Sequence, residues 1–135
     1  MNREIKFRAF DKARKEMAYV PVVSGENKNW LQIDKTGLNV GTKKGLLSDN
    51  EFELMQFTGL KDKNGVDIYE GDIIEKFIET GNGELRKIYE VVFDYDGFCL
   101  KNEETYAFGF SKNGNLNKEK IIGNIFENPE LKTGL

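Results

Sequence analysis

The sequence predicts a mainly β protein, an all-β chain folded as a small SH3-like barrel or sandwich with an N-terminal β-hairpin extension and minimal helix. Three observations carry this expectation. Turn signals recur every eight to twelve residues or so, the segments between them are rich in β-branched and aromatic residues, and no long stretch follows the 3.6-residue period of a helix. Fourteen Gly against two Pro favour tight turns over Pro-rich linkers. Ten Phe, five Tyr and one Trp supply the bulk that a 135-residue core needs.

The elements follow in order. Ile5-Lys6-Phe7-Arg8-Ala9 alternates apolar and basic residues, as a half-buried strand does. The charged run Asp11 to Glu16 reads as a turn, and Met17-Ala18-Tyr19-Val20 as the returning strand of a hairpin. Pro21 cannot donate to a ladder, so that strand should end there or lie at an edge. Residues 24–50 read as short strands or an excursion loop, because Gly37, Gly41 and Gly45 recur without an apolar period. This is the stretch expected to vary most.

From Phe52 the pattern sharpens. Glu53 to Thr58 is strand-like, and Asn64-Gly65 is a strong tight-turn signal. Gly71 should let the chain turn sharply into a strand from Asp72 to about Ile78. Thr80-Gly81-Asn82-Gly83 is a hairpin turn, and Leu85 to Phe93 a long returning strand. Asp94 to Gly97 turns into Phe98-Cys99-Leu100, Tyr106 to Phe110 is another strand, and Ser111 to Asn115 turns again. Ile121 to Phe126 is the last strand, followed by Asn128-Pro129-Glu130, which suits an N-cap, Pro at the first helical position and an acid in the first turn. One domain over residues 1–135 is expected, with hairpin and excursion in 1–50 and a barrel-like core in 51–131.

Composition excludes several chemistries. The chain has no His, which removes histidine general bases, Ser-His-Asp and Cys-His nucleophiles, and His-ligated metals. Cys99 is the only cysteine, so no internal disulfide and no Cys-based zinc site is available. Between Phe98 and Leu100 it reads as a buried, inert thiol. The N-terminus has no signal-peptide-like apolar run, and no run of about 18 apolar residues offers a membrane span. A cytoplasmic protein is expected, or one in the cytoplasm of a host cell.

Net charge is −3, unevenly spread. Residues 1–20 carry six basic and three acidic groups, whereas residues 47–80 carry three basic and nine acidic groups. This asymmetry suits head-to-tail association, with the basic N-terminal hairpin meeting the acidic centre of a neighbour. Arg3, Lys6, Arg8, Lys12, Arg14 and Lys15 form the candidate interaction surface. With Phe7, Phe10 and Tyr19 nearby they also suit single-stranded nucleic acid, the alternative reading; against it, the aromatics suit a core and the net charge is acidic.

Asp62, Asp67, Glu70 and Asp72 are the candidates for carboxylate or divalent-metal chemistry and a remote hydrolase reading. Their places beside Asn64-Gly65 and around Gly71 favour turn-forming roles instead. Asp94-Tyr95-Asp96-Gly97 with Glu103 overlaps a calcium-loop spacing, but its first position falls on Val92 and its flanks are strands. Gly81-Asn82-Gly83 lacks the lysine and following helix of a phosphate loop. No catalytic residue, metal site or cofactor is assigned.

Three stretches resemble the YopX family of small bacteriophage and prophage proteins. They are Arg3 to Asp11, Leu54 to Ile74 through Gly59-Leu60-Lys61-Asp62-Lys63-Asn64-Gly65 and Tyr69-Glu70-Gly71-Asp72, and Ile121-Ile122-Gly123-Asn124-Ile125-Phe126-Glu127-Asn128-Pro129-Glu130-Leu131. Residues 24–50 match least. The resemblance implies a β-rich, phage-encoded, intracellular protein and brings no catalytic or binding residues with it. The function expected is a non-enzymatic binding or assembly module that self-associates or engages a phage or host protein.

Overall fold

The computed structural model describes residues 5–20, 29–35, 37–94, 97–103, 106–108 and 119–135. Twelve strands and one short helix lie among them: β1 (Phe7–Asp11), β2 (Glu16–Val20), β3 (Trp30–Asp34), β4 (Gly37–Thr42), β5 (Gly45–Leu47), β6 (Phe52–Lys61), β7 (Asp67–Tyr69), β8 (Asp72–Thr80), β9 (Gly83–Asp94), β10 (Gly97–Lys101), β11 (Tyr106–Phe108), β12 (Glu119–Asn124) and a 3₁₀ helix (Pro129–Gly134). The mainly β class and minimal helix read from the sequence are what the structure shows. The strands order as β2-β1-β6-β7, β11-β10-β9-β8-β12 and β3-β4-β5, and every registered pair is antiparallel. The chain divides into two compact units, Met1–Phe57 and Thr58–Leu135.

In the first unit the hairpin expected at the N-terminus is present, with Phe7 opposite Val20 and Asp11 opposite Glu16. Strand β2 ends at Val20 and forms an edge, as the following proline requires. Strand β1 is not an appendage. It lies between β2 and β6, with Ala9 opposite Leu54, and Ala9, Val20 and Phe52 share a buried cluster with Val40 of β4. The excursion expected in residues 24–50 contains a three-stranded meander, β3-β4-β5, whose Leu31, Leu38, Val40 and Leu47 reach that same cluster. Of its glycines, Gly37 and Gly45 take positive φ, whereas Gly41 serves packing. Gly41 faces Trp30 across the ladder, and the indole lies where a Cβ would stand, 2.1 Å from Trp30 Cε2.

In the second unit the apolar period of the sequence becomes rows across one sheet. Ile121, Ile74 and Tyr89 are directly opposed on β12, β8 and β9, and Val91 opposes Leu100 on β9 and β10. Ile68 of β7 joins them in a cluster against which Leu60 also packs. Fully burying each large apolar side chain stabilises the unit by about 1.5–3 kcal/mol. The hairpin turn at Gly81-Asn82 is as expected, Thr80 pairing with Gly83. Strand β12 starts and ends two residues earlier than expected, because the Asn124 side chain closes a turn over 125–127 by accepting from the amides of Phe126 and Glu127. Asn128 takes the expected N-cap place, but its side chain does not cap the helix; Oδ1 instead accepts from Asn124 N at 3.2 Å. The turn residues Tyr95-Asp96 and Ser111 to Asn115, with Gly109-Phe110, lie outside the described residues.

Candidate functional site

The acids of the central segment are bonded mainly to backbone. Asp62 is buried, 4% exposed. Its Oδ1 accepts from Asn64 N (2.8 Å) and Val66 N (3.0 Å), and its Oδ2 from Ile121 N (3.0 Å). One carboxylate thus shapes the β6–β7 turn, where Gly65 takes φ +79°, and ties it to β12. Asp72 is equally hidden and accepts from Tyr69 N at 2.8 Å, closing the turn in which Gly71 adopts φ +89°. Gly71 then donates to the Val91 carbonyl and accepts from Ile125 N. Asp67 is paired with Lys61, and Glu70 is partly buried beside Gly71. Among the described residues no group of three or more acids or cysteines is placed to hold a metal ion.

The six basic candidates scatter when folded. Arg8 is a correction to the surface reading. It is only 3% exposed, and its Nε donates to Met55 Sδ at 3.4 Å, because the alternation of β1 turns it to a covered face. Lys6 lies over the Phe57 ring, 4.5 Å from its centroid. Lys12 meets Glu53 at 3.2 Å, with its backbone N–H on the Glu51 carbonyl. Some of the attraction between basic hairpin and acidic centre is therefore satisfied within the first unit. Arg14 and Lys15 are exposed in the β1–β2 turn, held by Asp11 Oδ1, which accepts from the amides of Ala13 and Arg14. Arg3 lies outside the described residues. Of the interleaved aromatics, Phe10 is buried, Phe7 packs on the core and Tyr19 is half exposed.

Cys99 is buried, its Sγ 3.7 Å from the Val92 carbonyl oxygen. Burial raises the carboxyl of Glu90 on β9 above its ordinary range, opposed by the charges of Lys132 and Lys101. In the first unit a shallow groove of about 240 Å³ beside the β1–β2 hairpin carries both signs of charge, including the Glu16–Lys44 pair at 2.8 Å. In the second, a groove of about 430 Å³ runs along Arg86 to Ile88, opposite Asn102 and Glu103.

Sequence reading missed the exposed apolar positions. Tyr19, Trp30, Ile33 and Leu46 in the first unit, and Val66, Phe77, Leu85 and Phe93 in the second, stand on or beside strands with large exposed fractions, Ile33 reaching 82%. The signal available was register. A two-residue turn at Gly81-Asn82 places Glu79 opposite Glu84 and Lys76 opposite Lys87, two like-charge pairs that a hairpin avoids unless something neutralises them.

A two-unit, mainly β chain with its motif acids committed to turns is the class that fold and site define. The family model described as YopX protein matches residues 6–132. The chain belongs to the YopX family. Two solved structures resemble it. Protein EF1440 from Enterococcus faecalis is 28% identical, with TM-score 0.62, covering 95% of this chain and 97% of that one. YopX from Bacillus subtilis is 21% identical, with TM-score 0.62, covering 93% and 96%. No curated protein matches the chain. The family stretches coincide with Asp62, Gly71, Asp72 and Asn124, residues that the structure uses to close turns, and with Gly123, which lies in β12 against Asn128 and Leu131. Among the described residues no helix is long and apolar enough to cross a membrane.

Proposed function

We propose that this chain is a non-enzymatic binding and assembly module, encoded by a phage or prophage and acting in the host cytoplasm, that works by self-association. The observation that carries the reading is the set of large apolar side chains left exposed on strands of open sheets, from Ile33 to Phe93. Edges and apolar strand faces of this kind are templates for another chain, and symmetric homo-oligomers are a common way to cover them. A small SH3-like arrangement of the strands between Tyr69 and Phe126 fits such a role, since small barrels serve widely as binding scaffolds.

The non-enzymatic part rests on two buried acids: both Asp62 oxygens and Asp72 Oδ2 accept from backbone amides. The test is the solution mass by size exclusion with light scattering, at two protein concentrations and two salt levels. A mass of at least twice that of the chain is expected. A monomer under all four conditions overturns the reading. Removing residues 1–20 is not a usable probe, because β1 is a central strand whose Ala9 and Phe10 are buried; Arg14→Glu with Lys15→Glu probes the exposed basic turn without touching the core.

A further inference from the structure

The β8–β9 hairpin outruns its neighbours. Strand β12 pairs with β8 only as far as Lys76, and β10 pairs with β9 only as far as Glu90. Among the described residues, the end of the hairpin from Phe77 through the turn to Arg86 is a two-stranded ribbon, exposed at every residue from Glu79 to Arg86. A ribbon of two strands is marginal in water, and this one carries half-exposed Phe77 and Leu85 with Glu79 facing Glu84.

We propose, building on the self-association reading above, that two copies of the chain pair through the outer edge of β9, two-fold symmetric about Leu85. Three independent properties select that register. The first is backbone direction. The Ile88 carbonyl lies on the outer edge, where it accepts from Asn102 Nδ2 (3.2 Å), whereas the Val91 carbonyl lies on the β8 side, where it accepts from Gly71 N. Alternation then places the amide and carbonyl groups of Arg86 and Glu84 on the outer edge as well. Centring on Leu85 sets Glu84 opposite the second copy's Arg86, so those four residues exchange paired backbone hydrogen bonds while Leu85 meets its own copy in the closer, non-bonded position.

The second property is charge. Each Glu84 gains an Arg86 from the other copy, which offsets the Glu79–Glu84 pair, while Arg86 keeps Glu75 within its own chain. Centring on Glu84, Arg86 or Lys87 instead would set like charges face to face. The third is the apolar face. Ile78 opposes Leu85 within each hairpin, so the two copies line up Ile78, Leu85, Leu85 and Ile78 across four strands. The small residues of each turn, Gly81-Asn82-Gly83, then fall beside Ile88 of the other copy, where the groove of about 430 Å³ adjoins the edge.

The experiment is oxidative cross-linking of Leu85→Cys in the full chain, run beside light scattering of the unaltered protein. Two-fold pairing brings the two position-85 Cα atoms to roughly 4.5 Å, within disulfide range. Buried Cys99 is not expected to compete. The expected result is a covalent dimer as the main product from Leu85→Cys and none from Glu84→Cys, which lies two residues out of line with its copy. In light scattering, Glu84→Arg should dissociate the dimer, and Glu84→Arg combined with Arg86→Glu should restore it. An oligomeric protein whose Leu85→Cys form stays uncross-linked, or whose Glu84→Arg form keeps its mass, overturns the ribbon pairing and leaves self-association standing. A monomeric unaltered protein overturns both.

Discussion

Removing Asp62 should cost this fold heavily for a single polar side chain. The residue is 4% exposed and its two oxygens receive three backbone amides, at 2.8 and 3.0 Å within the turn and 3.0 Å from Ile121, which is 59 positions away. A hydrogen bond to a charged group nets about 1.5–3 kcal/mol, and a buried donor left without an acceptor loses about 1–3 kcal/mol. Three amides sharing one carboxylate are not additive, so Asp62→Ala is expected to lose about 4 kcal/mol. At this chain length that lowers Tm by about 12 °C. Asp62→Asn separates the two jobs. With its carbonyl oxygen kept toward Asn64 and Val66, its amide nitrogen confronts the Ile121 N–H, donor against donor, so the turn survives and the tie to β12 is lost at about 2 kcal/mol. Urea unfolding followed by circular dichroism gives the free energies, and amide exchange at Val66 and Ile121 assigns them. A loss under about 1 kcal/mol for Asp62→Ala, or unchanged protection of Ile121 in Asp62→Asn, would refute the reasoning.

Three further outcomes are expected. Glu90 sits in the fold with its carboxyl displaced upward by burial, so the folded state holds that proton more tightly than the unfolded one; stability contributed below the ordinary value of 4.5 is lost as pH rises above it through the folded value. Urea unfolding at stepped pH should therefore show the unaltered protein losing ground to Glu90→Gln above about pH 4.5, and parallel curves would contradict this. Gly41→Ala puts a methyl into the Trp30 ring, displacing the chain's one tryptophan toward water; its fluorescence should shift to the red at a cost of about 1 kcal/mol, and an unmoved spectrum would show that the indole does not rest on Gly41. Gly123→Ala drives a Cβ to 2.4 Å from Asn128 Oδ1 and 2.8 Å from Leu131 Cδ1, so chemical denaturation should register a loss of about 2 kcal/mol, with less than about 0.5 kcal/mol counting against the close approach.

What the sequence determined by itself is the local grammar. The β1–β2 hairpin, the Thr80 to Gly83 turn and the entry into β8 at Gly71 are all written in residues within a few positions of one another, where φ preference and period-two alternation act before any tertiary contact forms. The carboxylates of Asp62 and Asp72 were legible as turn residues for the same reason. Alternation, however, names two faces without saying which is covered. Arg8 was read as surface, and only the covering of that face of β1, with Met55 brought up by β6 forty-seven positions away, buries it. The meander in residues 29–47 was legible only as short strands or an excursion loop, because Gly41 supplies no apolar signal of its own; the bulk over that position comes from Trp30 on the facing strand. Nor does local sequence place β12 beside β8, where Asp62 and Glu119 bracket the junction through Ile121 N and Lys76. These pairings close long loops, and their free energy comes from apolar rows and buried amides that exist only once distant segments meet. The exposed β8–β9 ribbon belongs to both levels: its register follows from a two-residue turn, and its bareness from where β10 and β12 stop.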